Sequence, residues 1–193
     1  MWIAAAVVAL PVLVFIVIFN GLVVKRNRVE NAFASIDVLL KKRYDLIPNL
    51  VATVKGYATH ERAVFSEITR LRAEALKERP RTDRAVELNN RISELLFGIM
   101  GVVEAYPELK ANENFLQLQR ALNEVEEQIS AARRAYNAAV MDLNNAVQMF
   151  PSSIVAGMTG FGTRRFFEAA GAERSVPRVR EGLDGAPTEG AGP

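Results

Sequence analysis

A chain of 193 residues, 50% of them hydrophobic, is long enough to bury a core of its own. Its formal net charge of +2 gives no argument for nucleic acid, because Lys and Arg are interspersed with Asp and Glu as on solvated helices. The absence of cysteine excludes disulfides and thiolate chemistry and fits a reducing compartment.

The first 24 positions, MWIAAAVVALPVLVFIVIFNGLVV, carry no ionisable side chain. As a helix they extend about 36 Å against a hydrocarbon core of roughly 30 Å, which marks residues 1–24 as a transmembrane anchor. The competing reading is a cleaved secretory signal. It fits less well, since the amino end has no basic side chain and the apolar stretch is long. Pro11 is tolerated in a membrane helix, as a kink. Lys25, Arg26 and Arg28 crowd one flank, so the positive-inside rule puts the N-terminus outside and the remaining chain in the cytoplasm.

Residues 25–150 read as a helical domain. Val29, Phe33, Ile36 and Leu40 form one apolar stripe, and Ile47, Leu50, Val54 and Tyr57 resume it beyond Arg43. The stripe passes Pro48 without changing face. Either Asp45 caps a new helix with Pro48 in its first turn, or one long helix bends there. A break near residues 56–60 lets ERAVFSEITRLRAEAL turn back as a second helix. KERPRTD is the clearest turn, with Pro80 as breaker and Thr82 or Asp83 as cap. The third helix buries Val86, Ile92, Leu95, Leu96, Ile99 and Val103, with Gly98 and Gly101 thinning one face for close packing. It stops near Ala105, ahead of Pro107.

Asn114 and Gln117 match the cap and N3 positions of a capping box. From there Leu118, Leu122, Val125, Ile129, Ala132, Tyr136, Ala139, Leu143, Ala146 and Phe150 keep a four-three alternation, predicting a helix over 114–150 about 55 Å long. That seam pairs within the bundle or between protomers, so a homo-oligomer is expected. Residues 151–162 are apolar, glycine-punctuated and too short to span a bilayer; they read as an interfacial segment. Residues 163–193 read as a disordered tail.

NAFASIDVLLKKRYDLIPNLVATVKGYATHE, AYPELKANENFLQLQ and RRAYNAAVMDLNNAVQMFP closely resemble the LemA family of bacterial membrane proteins. The resemblance covers about Val23 to Phe167. It implies an all-α chain: an exterior N-terminus, a single transmembrane helix in the bacterial inner membrane, and a cytoplasmic antiparallel (up-and-down) four-helix bundle. It supplies no catalytic residue and no cofactor. Relatives are often encoded beside membrane zinc peptidases or other envelope proteins, which implies a membrane-protein partner and an accessory role to a peptidase.

The residues offer little chemistry of their own. His60 is the only histidine, and neither zinc nor di-iron ligand spacings occur, so it reads as a turn or surface residue. Phosphate-loop and nucleophile-elbow motifs are missing. Asn31, Asn49, Asn137 and Asn144 beside the stripes read as register-fixing hydrogen-bonders inside the bundle rather than as a ligand site.

Two clusters remain for membrane lipid. Arg79, Arg81 and Arg84 form a basic turn that is either a lipid contact, if the second helix returns to the bilayer, or a solvated loop diluted by Glu74, Glu78 and Asp83. Arg164, Arg165, Phe166 and Phe167 combine basic and aromatic character as interfacial segments do. The alternative there is an unstructured tail. The leading expectation is a non-enzymatic anchored scaffold or adaptor; the second is membrane binding and shaping.

Overall fold

The computed structural model describes residues 2–57, 61–78 and 82–167, with backbone alone for 3–8. His60, Arg79, Pro80 and Arg81 lie outside the described residues, as does the expected tail from residue 168 onward. Every regular element among the described residues is a helix.

Helix α1 runs from Trp2 to Lys55 and contains both Pro11 and Pro48. Asp45 therefore caps nothing, and Pro48 occupies a helix interior. Its neighbours explain why the break expected of a proline is overridden. Ile36, Leu40, Ile47, Leu50 and Val54 are all buried along one face, holding the backbone in register on both sides of the missing N–H. Helices α2 (Arg62–Ala75) and α3 (Asp83–Val103) follow. Thr82 caps α3, its hydroxyl accepting from the Ala85 N–H at 3.0 Å. Pro107 opens the short α4 (Pro107–Lys110), where its fixed φ suits a first turn.

Helix α5 spans Glu113–Gln148, and its cap is Asn112, not Asn114. Asn112 Oδ1 accepts from the Phe115 N–H at 3.1 Å, and starting the helix here brings Phe115 into the core. After a cis Phe150–Pro151 peptide, the segment read as apolar and interfacial forms an eight-residue helix of about two turns, α6 (Ser152–Thr159). Gly160 ends it in the left-handed region at φ 75°, a conformation glycine adopts without a Cβ penalty. The Phe161 N–H closes back on the Ala156 carbonyl at 3.0 Å.

Cross-contacts fix the directions. Helix α5 runs back along α1: Asn112 meets Tyr57 at 3.3 Å, Glu126 meets Arg43 at 3.0 Å, and Tyr136 meets Phe33 at 5.8 Å between ring centroids. Helix α2 also runs back along α1, with Arg72 Nε donating to the Tyr44 carbonyl at 2.7 Å.

The core between α1, α2, α3 and α5 takes Leu122, Val125, Ile129, Tyr136 and Leu143 from the predicted seam and adds Phe115 and Val140. Leu118 is half-buried, as are the seam alanines. Phe150 departs from the prediction: it is 81% exposed because the helix has ended before it. On α3, Leu88, Ile92, Leu96, Ile99 and Val103 are buried. Gly98 and Gly101 do not mediate close packing, since a Cβ at either would meet open space, and neighbouring Phe97 is 84% exposed.

Candidate functional site

The apolar part of α1 is the only helix among the described residues long and apolar enough to cross a membrane, and just 6% of its most apolar window is buried. What little is covered is covered by α6. Leu22, Val155 and Ala156 form a small second core, flanked by Phe15, Ile18, Phe19, Ala146, Val147 and Phe161. The end of α5 and all of α6 thus make a hairpin lying beside residues 15–22 of α1. Residues 143–163 carry no ionisable side chain. Its outer surface is apolar too, with Met149, Phe150, Ile154 and Met158 exposed.

Charge collects just above the hairpin. The Arg26 guanidinium lies over the Phe161 ring at 5.4 Å, and Phe161 meets Phe19 edge-on at 5.9 Å. Arg28 is exposed, while Lys25 is half-buried. Beyond Phe161 the chain does not leave the body. Residues 164–167 lie along α5 as a strap, held by Asn137 and Asn144. Arg164 approaches Glu30 at 3.7 Å, Phe167 packs on the core, and Arg165 and Phe166 stay exposed. Two of the four asparagines read as interior register-fixers therefore serve the strap, and Asn31 and Asn49 are exposed.

The body's centre holds a polar network that periodicity passed over. Arg43 is fully buried at 0% exposure. Its Nη1 donates to Ser93 Oγ at 2.7 Å and Glu126 Oε2 at 3.0 Å; its Nη2 donates to the Asn89 carbonyl at 3.3 Å and to Asn89 Oδ1 at 2.9 Å. The Tyr44 hydroxyl donates to the same Asn89 oxygen. Burial pushes the Tyr44 phenol above its ordinary value, against the nearby Arg43 charge and its hydrogen bonds, which pull it down. Tyr44 thus stays a neutral donor. The guanidinium is enclosed, and no three His, Cys, Asp or Glu side chains converge as a metal site among the described residues.

A profile of the LemA family matches residues 32–180. The chain belongs to the LemA family. It is 26% identical over 155 residues to protein LemA of Metamycoplasma hominis, covering 80% of this chain and 71% of the relative. It is 25% identical over 175 residues to magnetosome protein MamQ 2 of Paramagnetospirillum magneticum, and 24% over 174 residues to magnetosome protein MamQ of Magnetospirillum gryphiswaldense. The matches cover 78% and 77% of this chain, but only 64% of either MamQ protein. None of these names designates an enzyme.

In this LemA-family chain the basic turn keeps few free charges among its described residues. Arg84 holds Glu74 through Nε at 3.1 Å and Glu87 through Nη1 at 2.9 Å, while Arg70 grips Glu67 and reaches Glu74 at 3.2 Å. The start of α3 borders Phe33, nine residues past Val24 or about 14 Å of helix rise. Arg84 is thus a clasp between α2 and α3. Its hydrogen bonds to Glu74, and those of Arg70 to Glu67, hold both carboxyls below the ordinary carboxylate range. Folded-state values below the unfolded ones mean that the clasp stabilises above the unfolded carboxylate pKa and is lost as pH falls through the folded one. In urea unfolding followed across pH, Glu74→Gln should therefore be less stable than wild type at neutral pH and converge with it below the carboxylate range.

Proposed function

We propose that the chain is a single-pass adaptor of the bacterial inner membrane, with its N-terminus outside and an up-and-down four-helix bundle in the cytoplasm that makes helix contacts with partner proteins or further copies. One observation supports this most. A single uninterrupted helix, α1, carries both the exposed apolar span and the first wall of the core, so the body is coupled to its anchor without a linker. Lys25, Arg26 and Arg28 at the exit favour that orientation. The exposed Phe97 on α3, far from the anchor, offers an outer contact surface.

A second reading, membrane binding and shaping, is favoured by the uncharged hairpin with Phe150 and Ile154 on its outside. One experiment separates the two. A photo-crosslinking residue is placed at Phe97 or at Phe150 in the full chain and activated in intact membranes. Adaptor function predicts discrete protein adducts from Phe97; a seated hairpin predicts lipid adducts from Phe150. No protein adduct from Phe97 or any other exposed body position would overturn the adaptor reading. The chain's lack of cysteine makes topology as accessible: an impermeant maleimide should label Trp2→Cys in intact cells and Ser66→Cys only after permeabilisation.

A further inference from the structure

Two asparagines on α5 bind main chain of a distant segment rather than a neighbouring helix. Asn144 Nδ2 donates to the Arg164 carbonyl at 2.9 Å, and its Oδ1 accepts from the Arg164 N–H at 2.8 Å. Asn137 repeats the pattern on Phe167, at 3.0 Å and 2.7 Å. Between them the Tyr136 hydroxyl donates to the Arg165 carbonyl at 3.2 Å. A carboxamide offers an acceptor and a donor side by side, as a peptide group does, so it reads main chain irrespective of side chain.

The spacing selects the ligand's conformation. From Asn137 to Asn144 the helix rises about 10.5 Å, and from Arg164 to Phe167 an extended chain advances about 10 Å. A helical segment of the same three steps would advance only about 4.5 Å and could not meet both amides. Selectivity for side chains is confined to the two ends. Phe167 lies under the Arg133 guanidinium at 4.8 Å and edge-on to Tyr136 at 6.4 Å, and Arg164 faces the Glu30 carboxylate. Arg165 and Phe166 are exposed, and together with Phe167 they border an open groove of about 590 Å³ shared with Phe33, Asp83, Val86 and Tyr136.

We propose that this face of α5 is a binding site for an extended peptide bearing a basic residue three positions ahead of an aromatic one, and that the chain's own residues 164–167 are its resting occupant. The seated strap supplies the chemistry of the ligand: Arg-x-x-Phe, running antiparallel to α5. Being tethered, the strap competes at an effective concentration on the order of millimolar, so a partner segment enters only by displacing it. The proposal is independent of which side of the membrane the body occupies.

The test uses the full chain in detergent micelles and a fluorescent peptide of sequence GTRRFF, matching residues 162–167. Arg164→Pro with Phe167→Pro removes both strap N–H donors and leaves α5 unaltered. This opened variant should bind the peptide about tenfold or more tighter than wild type, because the tethered competitor is gone. Adding Asn137→Ala and Asn144→Ala should abolish the gain, as should the altered peptide GTARFA. In the unmodified chain, the Arg164 and Phe167 amides should exchange slowly with solvent and speed up in Asn137→Ala/Asn144→Ala. Failure of the opened variant to bind GTRRFF, binding indifferent to the two asparagines, or fast exchange of both amides in wild type would each overturn the site.

Discussion

Arg43→Ala will lower the stability of the body by about 3–5 kcal/mol, combining the cavity left by a long buried side chain with the loss of partners for desolvated acceptors. The side chain is fully buried, and four of its donor interactions reach Ser93, Asn89 and Glu126. Its Nε–H finds no acceptor, so even the native network is incompletely satisfied. That incompleteness predicts the contrast with Arg43→Met. Methionine refills most of the volume, Asn89 Oδ1 keeps its bond from Tyr44, and Glu126, 47% exposed, returns to water. Replacing a buried ion by an apolar side chain of similar size is often neutral, so Arg43→Met should lie within about 2 kcal/mol of wild type.

Thermal unfolding of the full chain in detergent, followed by circular dichroism, reads both. At roughly 2–4 °C per kcal/mol for a chain of this size, Arg43→Ala should melt about 10 °C lower. Equal melting of wild type and Arg43→Ala would mean that the guanidinium is solvated. Equal, large losses in Ala and Met would assign the stabilisation to the charge rather than to volume.

Arg43 also marks where legibility in the sequence ended. Ile36, Leu40, Ile47, Leu50 and Val54 follow the helical period, and Arg43 occupies the missing step between Leu40 and Ile47. Its position announced burial, but its charge argued for solvent, and only distant partners, Asn89 and Ser93 on α3 and Glu126 on α5, resolve that conflict. Helix caps were readable to within a turn because they depend on local hydrogen bonds: Thr82 caps as expected, and Asn112 caps in place of Asn114. Pro48 was ambiguous for the opposite reason, since the packing that overrides it comes from residues far along the chain. The hairpin and strap were the least legible. SSIVAGMT is shorter than the window in which periodicity is measurable, and Asn137 and Asn144 look alike whether they meet a helix or an extended segment.

Leu13→Arg with Val17→Arg will release the chain from the membrane. The two positions lie one turn apart on the face of α1 that α6 leaves uncovered, and both side chains are exposed. In a water-soluble helix such substitutions would change stability by no more than about 0.5 kcal/mol. Near the centre of a spanning helix each arginine costs about 2.5–3.5 kcal/mol, so the pair should shift insertion by about 5–7 kcal/mol, or roughly four orders of magnitude. Sedimentation of membranes after alkaline carbonate extraction distinguishes the cases: the arginine pair should leave the pellet, and Leu13→Ala with Val17→Ala should remain in it. Snorkelling is limited here, because residues 17 and 13 lie about 12 and 18 Å of helix rise from Lys25, roughly two and three turns inside the span. The hairpin cannot substitute for the span, since α6 is eight residues long and crosses nothing. Retention of the arginine pair in the pellet would therefore count against the span itself, and would make α1 the exposed stalk of a body held at the membrane by other means.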